Sequence, residues 1–172
     1  MKPSFVVSIT VALTSFLTSC TGSERLVDYG FDPGGRSLNS AASELTPQIV
    51  GQYIVFVSDR RGSQDIYLYD TTERRLIDLP GLNALNAIAS HPGISEDGKS
   101  IVFAASREGR SAIYLYNRET TQLRNLTENL RAEVRNPTIS ADGSTIAFEK
   151  GENGKWEIAV YNRSGQPLDL PN

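Results

Sequence analysis

Four landmarks recur in the same order three times along residues 46–172, at intervals of 44 to 47 residues. A proline comes first, at Pro47, Pro92 and Pro137, spaced 45 and 45. An apolar triplet follows: Ile54-Val55-Phe56, Ile101-Val102-Phe103 and Ile146-Ala147-Phe148. A second run ends in tyrosine: Ile66-Tyr67-Leu68-Tyr69, Ile113-Tyr114-Leu115-Tyr116 and Ile158-Ala159-Val160-Tyr161. Each copy closes on a short fourth run: Ile77-Asp78-Leu79, Arg124-Asn125-Leu126 and Leu168-Asp169-Leu170. This recurrence restricts the chain to architectures in which one supersecondary unit is laid beside its copies. A unit of about 45 residues buries too little apolar surface to stand alone.

Within each copy the runs are short, rich in β-branched and aromatic residues, and separated by turn residues, so they read as strands. Ser95-Glu96-Asp97-Gly98 and Ser140-Ala141-Asp142-Gly143 each part the first strand from the second. Asp-Gly supplies the positive φ of a tight hairpin, and the serine can bond the turn's backbone. The first copy has the shorter Val50-Gly51-Gln52 in that place. The second turns are charged and carry glycine, as in Asp59-Arg60-Arg61-Gly62, Arg107-Glu108-Gly109 and Glu152-Asn153-Gly154. The third are polar: Asp70-Thr71-Thr72, Asn117-Arg118-Glu119 and Asn162-Arg163-Ser164. Four strands joined by three hairpins make a propeller blade. The expected fold is all-β, a partial β-propeller of three four-stranded antiparallel blades at 46–90, 91–134 and 135–172. Closed propellers have four to eight blades. Three outcomes therefore stand open: two chains pair as a homodimer into a six-bladed ring, another protein covers the ends, or the arc stays open with polar outer faces.

The string Pro-x-x-Ser-x-Asp-Gly, then an apolar triplet, a glycine-bearing turn and Ile-Tyr-x-Tyr, resembles the propeller repeat of the TolB family over Thr46 to Asn172. That resemblance implies a non-enzymatic, protein-binding role in the bacterial envelope. Its implied partners are envelope proteins of the Tol–Pal kind, peptidoglycan-associated lipoprotein among them. TolB itself resembles a six-bladed propeller behind a separate mixed α/β domain, without a lipid. Here three copies occur, without such a domain.

Ahead of the repeats, Lys2 precedes an uncharged stretch from Phe5 to Leu17 that ends in Leu17-Thr18-Ser19-Cys20. The stretch is too short for a membrane-spanning helix of about 20 residues and reads as a secretory signal. Its ending resembles a bacterial lipoprotein signal, which implies a signal peptide at 1–19, lipidation of Cys20, and a tether with N-terminal extension at 20–45. Cys20 is the sole cysteine, so no intramolecular disulfide competes for it. One acyl chain anchors only marginally, whereas two or three hold firmly. Thr21 after the cysteine, rather than Asp, resembles cargo sent to the outer membrane in preference to the inner, facing the periplasm.

The chain is mildly acidic, with a formal charge of -3 that becomes -4 once residues 1–19, with their single lysine and no acid, are removed. Both signs are mixed, which gives no support for nucleic-acid binding. His91, the sole histidine, precedes Pro92 and reads as a turn residue, since no Gly-x-Ser-x-Gly elbow accompanies it. No metal site, cofactor or catalytic set is expected from this inventory. Asp59, Asp65, Glu108, Glu149 and Glu157 fit solvated hairpins and strands; the alternative function, a carbohydrate-active or small-ligand-binding propeller fragment, would need such carboxylates beside an aromatic at one rim. Trp156, heading the third strand of the last copy, is the candidate interface residue, against a rival reading in which it packs between sheets. The expectation is a lipid-anchored interaction scaffold.

Overall fold

The computed structural model of the chain describes residues 35–169. Cys20, the signal and most of the tether lie outside these residues, as does Leu170. Every regular element described is a strand. The first sheet runs β1 (Glu44–Val50), β2 (Tyr53–Ser58), β3 (Asp65–Asp70) and β4 (Arg75–Ile77). The second runs β5 (Ile88–Ile94), β6 (Ser100–Arg107), β7 (Arg110–Asn117) and β8 (Gln122–Asn125). The third holds β9 (Glu133–Ile139), β10 (Thr145–Glu152) and β11 (Lys155–Asn162). All pairs are antiparallel between sequence neighbours, and the first strands β1, β5 and β9 lie side by side. The result is three blades of an open propeller, with no closed ring. The third blade differs from the expected four strands. Among the described residues its fourth run makes a single bridge, Tyr161 to Pro167, with Leu168 donating to the Val160 carbonyl. Pro167 has no N–H to give this ladder, so it contributes no donor of its own at the bridge.

Alternation along β2 and β3, and their counterparts, gives each blade two faces. Val55, Val57, Ile66 and Leu68 face the second blade, where they meet Ile94, Ile101, Phe103 and Tyr116 in one core cluster. Val102, Ala104, Ile113 and Leu115 face the third, against Val134, Ile139, Ile146 and Phe148 in another. The core is therefore two slabs between blades, each built from the tail face of one blade and the head face of the next.

Turn chemistry follows the motifs. Ser95 and Ser140 each donate to the Asp two residues on, at Asp97 and Asp142. Those carboxylates accept from the amides of Lys99 and Ser144, and Ser100 and Thr145 donate back to the serine oxygens. Glu108-Gly109 and Asn153-Gly154 both have positive φ at two successive residues, the type I′ geometry that matches strand twist. His91 lies within β5 rather than in a turn. With Thr46 and Asn136 it occupies a bulge before the recurring proline, at φ 46 to 51° in all three copies. The bulge explains why the proline is compatible with an inner strand: the ladder is interrupted where its N–H is missing.

Candidate interaction faces

Repeat symmetry identifies which surfaces are special, because equivalent residues do different things at the two ends. On the head face of blade 1, Phe56 and Tyr67 stack with centroids 5.8 Å apart, as Phe103 and Tyr114 do at 5.6 Å in blade 2. No preceding blade covers them, yet Phe56 is 1% and Tyr67 7% exposed. Arg60 accounts for this. Its guanidinium sits 5.3 Å from the Phe56 ring centroid and 4.8 Å from that of Tyr67. It donates to the carbonyls of Gly35 (3.0 Å), Ser37 (2.9 Å) and Leu38 (3.0 Å), and to Glu44 Oε1 at 2.8 Å. Ser43 is tied down by donation to Asp59. Residues 35–43 thus form a strap over the head face, bound through one fork-shaped cation whose donors match several acceptors at once. Burial raises the Tyr67 hydroxyl above the usual phenol range, and its oxygen has no hydrogen-bond partner.

The tail face of blade 3 carries the positions that are buried in the other two blades. Ile158 stands where Ile66 and Ile113 are 1% and 0% exposed, but is itself 70% exposed. Ala147 replaces Val55 and Val102, and Glu149 replaces Val57 and Ala104, as the shared cross-strand register shows. Trp156 lies beside Ile158 on this face, 42% exposed. Arg135 stacks on it, with Cζ 3.8 Å from the ring centroid. The indole also lies across Gly151, where a β-carbon would come within 3.2 Å of it. Arg135 Nε donates to Glu149 Oε2 at 2.6 Å, and Asn136 Nδ2 donates to Glu149 Oε1 at 2.9 Å. These bonds, that of Asn136 foremost, hold the Glu149 carboxyl below its usual range. Trp156 thus lies on an outer sheet face among the described residues. The face combines an exposed aliphatic side chain, an indole edge and one oriented carboxylate.

The remaining carboxylates do not gather. Asp59 caps the strap, Asp65 opens β3, Glu108 occupies a turn beside Arg107, and Glu157 lies on the opposite face of blade 3 from Glu149. Among the described residues no three His, Cys, Asp or Glu side chains group as metal ligands. No described helix is long and apolar enough to cross a membrane.

Three arginines do work that the motif reading missed. Arg60 is one. The others are Arg118 and Arg163, at equivalent third turns. Arg118 donates to the Gly98 carbonyl and lies 5.2 Å from the Tyr53 ring of blade 1. Arg163 donates to Ser100 Oγ of blade 2. Each latches its blade to the one before, and the first copy has Thr71 in that place. The recurrence of Asn-Arg in copies two and three, against Asp-Thr in copy one, was the available signal.

Head-to-tail stacking of antiparallel sheets, with a strapped head and an exposed tail, defines an open β-propeller. A family model described as the TolB beta propeller domain matches residues 37–170, and the chain belongs to that family. Among solved structures, TolB of Acinetobacter baumannii is similar over 76% of this chain and 32% of its own, at 27% identity and a TM-score of 0.58. A protein assigned as TolB in Agrobacterium tumefaciens matches over 67% of this chain and 40% of its own, at 24% identity and a TM-score of 0.53. The β-propeller domain of the Trilobed protease from Pyrococcus furiosus, described as having an open velcro topology, shares the fold at 19% identity and a TM-score of 0.56, over 74% of this chain and 42% of that one. The chain thus spans a third to two-fifths of these chains. A search of curated protein sequences found no match.

Proposed function

We propose that this chain is a non-enzymatic scaffold of the bacterial envelope, lipid-anchored at Cys20, that docks other proteins on the tail face of its third blade. The observation that carries the reading is Ile158: a position buried in both preceding blades is 70% exposed here, beside an exposed Trp156. Apolar side chains with an aromatic anchor and a rim of oriented charge are what a protein interface requires. Membership of the TolB propeller family supports a protein-binding role, and the partners proposed are envelope proteins of the Tol–Pal kind. Fourteen residues lie between Cys20 and Gly35. At ~3.5 Å per residue they keep the strapped head within about 50 Å of the lipid and leave the tail as the end free to meet partners. The outer membrane, facing the periplasm, is the proposed location.

Two measurements test this. Cys20→Ser should move the protein from the membrane fraction to the soluble one. A photo-crosslinking amino acid at position 158, activated in living cells, should capture a defined protein that the same group at exposed position 72 does not. Equal capture at both positions, or none at 158, would remove the tail face as the docking surface.

A further inference from the structure

We infer that the tail face is also built to receive the head of a second copy of this chain, and that the strap at 35–43 is the device that prevents it. The inference rests on the tail being the docking face and names an occupant for it. Both internal interfaces join a tail face to a head face through the same repeat positions. Among the described residues, blade 3 presents the next tail face, and blade 1 a head face not packed on a blade. Two chains, each contributing three blades, would close a six-bladed ring through two equivalent contacts, within the range that closed propellers occupy.

Charge complementarity distinguishes this contact from the two internal ones. Glu149 puts a carboxylate at the tail position where Val57 and Ala104 stand. In the internal interfaces that position belongs to the cluster that packs against Phe103 or Phe148 of the following blade. The equivalent ring on the free head is Phe56, and it carries the Arg60 guanidinium. The acidic replacement on the tail therefore matches the cation on the head. In the single chain, Glu44 and three strap carbonyls hold that guanidinium, with the Arg60 side chain 5% exposed. An incoming Glu149 must displace them. The strap is covalently attached, so its effective concentration is in the millimolar range, and an independent second chain loses the competition until the strap loosens.

The test uses the Cys20→Ser protein and adds Arg60→Lys with Glu44→Gln. Lysine keeps the cation but loses the fork that binds several carbonyls, so the strap is released while the partner for Glu149 remains. Sedimentation across a concentration series should show a monomer for the parent and a dimer for the variant, with the dissociation constant lowered at least about tenfold. Hydrogen exchange should show faster exchange at 35–43 with β6 and β7 still protected. Adding Ile158→Lys should restore the monomer, and adding Glu149→Gln should weaken the dimer. Should the double variant fail to fold, Glu44→Gln alone is expected to show the same trend to a smaller degree. A folded, strap-released variant that stays monomeric overturns the inference, as does a parent protein that dimerises with its strap still protected. Neither result touches docking at position 158, which the crosslinking reads separately.

Discussion

At the scale of single residues, the turn glycines carry two demands that one residue type must meet together. Gly98 has φ +68°, and a β-carbon there would lie 2.3 Å from the Tyr53 ring of the preceding blade. Gly51 has φ +55° and open space around it, with no described blade packed on that side. Gly98→Ala is therefore expected to cost about 3 kcal/mol, the sum of a left-handed penalty and overpacking, against about 1 kcal/mol for Gly51→Ala. Urea denaturation of the two variants measures the difference. Acid sensitivity is also set in these turns. Ser140 and Ser144 donate to Asp142 and pull its carboxyl from 3.8 to about 2. A carboxyl depressed in the folded state stabilises it above the ordinary value, and that contribution is lost as the pH falls towards the folded one. The urea midpoint should drop between about pH 4 and about pH 2, and Asp142→Asn should flatten part of that drop.

At the scale of elements, the Asn-Arg turns fasten each blade to the one before. Arg118→Ala should cost about 1 to 2 kcal/mol, because it removes both a charge-assisted bond to Gly98 and the cation on Tyr53. Arg118→Lys should recover little of this, since a point charge does not reproduce the planar fork. Chemical denaturation of the pair checks it. The strands themselves were legible in the sequence, because short runs rich in Ile, Val, Tyr and Phe stand between turn residues. So was the blade, because four landmarks recur in order. The short fourth run of blade 3 was harder to see: Leu168-Asp169-Leu170 has the right pattern, and only Pro167 ahead of it, which brings no N–H, signals that the described residues pair so sparsely. Arg60 was read as one residue of a charged turn. Its role depends on the strap folding back from more than twenty positions upstream, which no local spacing reveals. Glu149 looked like an ordinary strand acid until register set it opposite Ile158 on the uncovered face.

At the scale of the whole molecule, one repeat position serves as its own control. Ile113→Ala removes a fully buried side chain from the slab between blades 2 and 3 and should cost about 3 kcal/mol. Ile158→Ala, at the same position of blade 3, should change stability by less than about 0.5 kcal/mol in the monomer. A comparable loss at both positions would mean that blade 3 is covered in solution. Each sheet is assembled from contiguous sequence, β1 to β4, then β5 to β8, then β9 to β11, so no strand is borrowed from a distant part of the chain. The ladders are therefore short-range contacts, of the kind that form early and fast. A protease nick in either connector, near Ala84 or near Asn129, would sever no sheet. The fragments would stay joined by the apolar slabs and the polar latches between blades, those of Arg118 and Arg163 among them, and separation of a nicked chain would report directly on the strength of one blade's grip on the next.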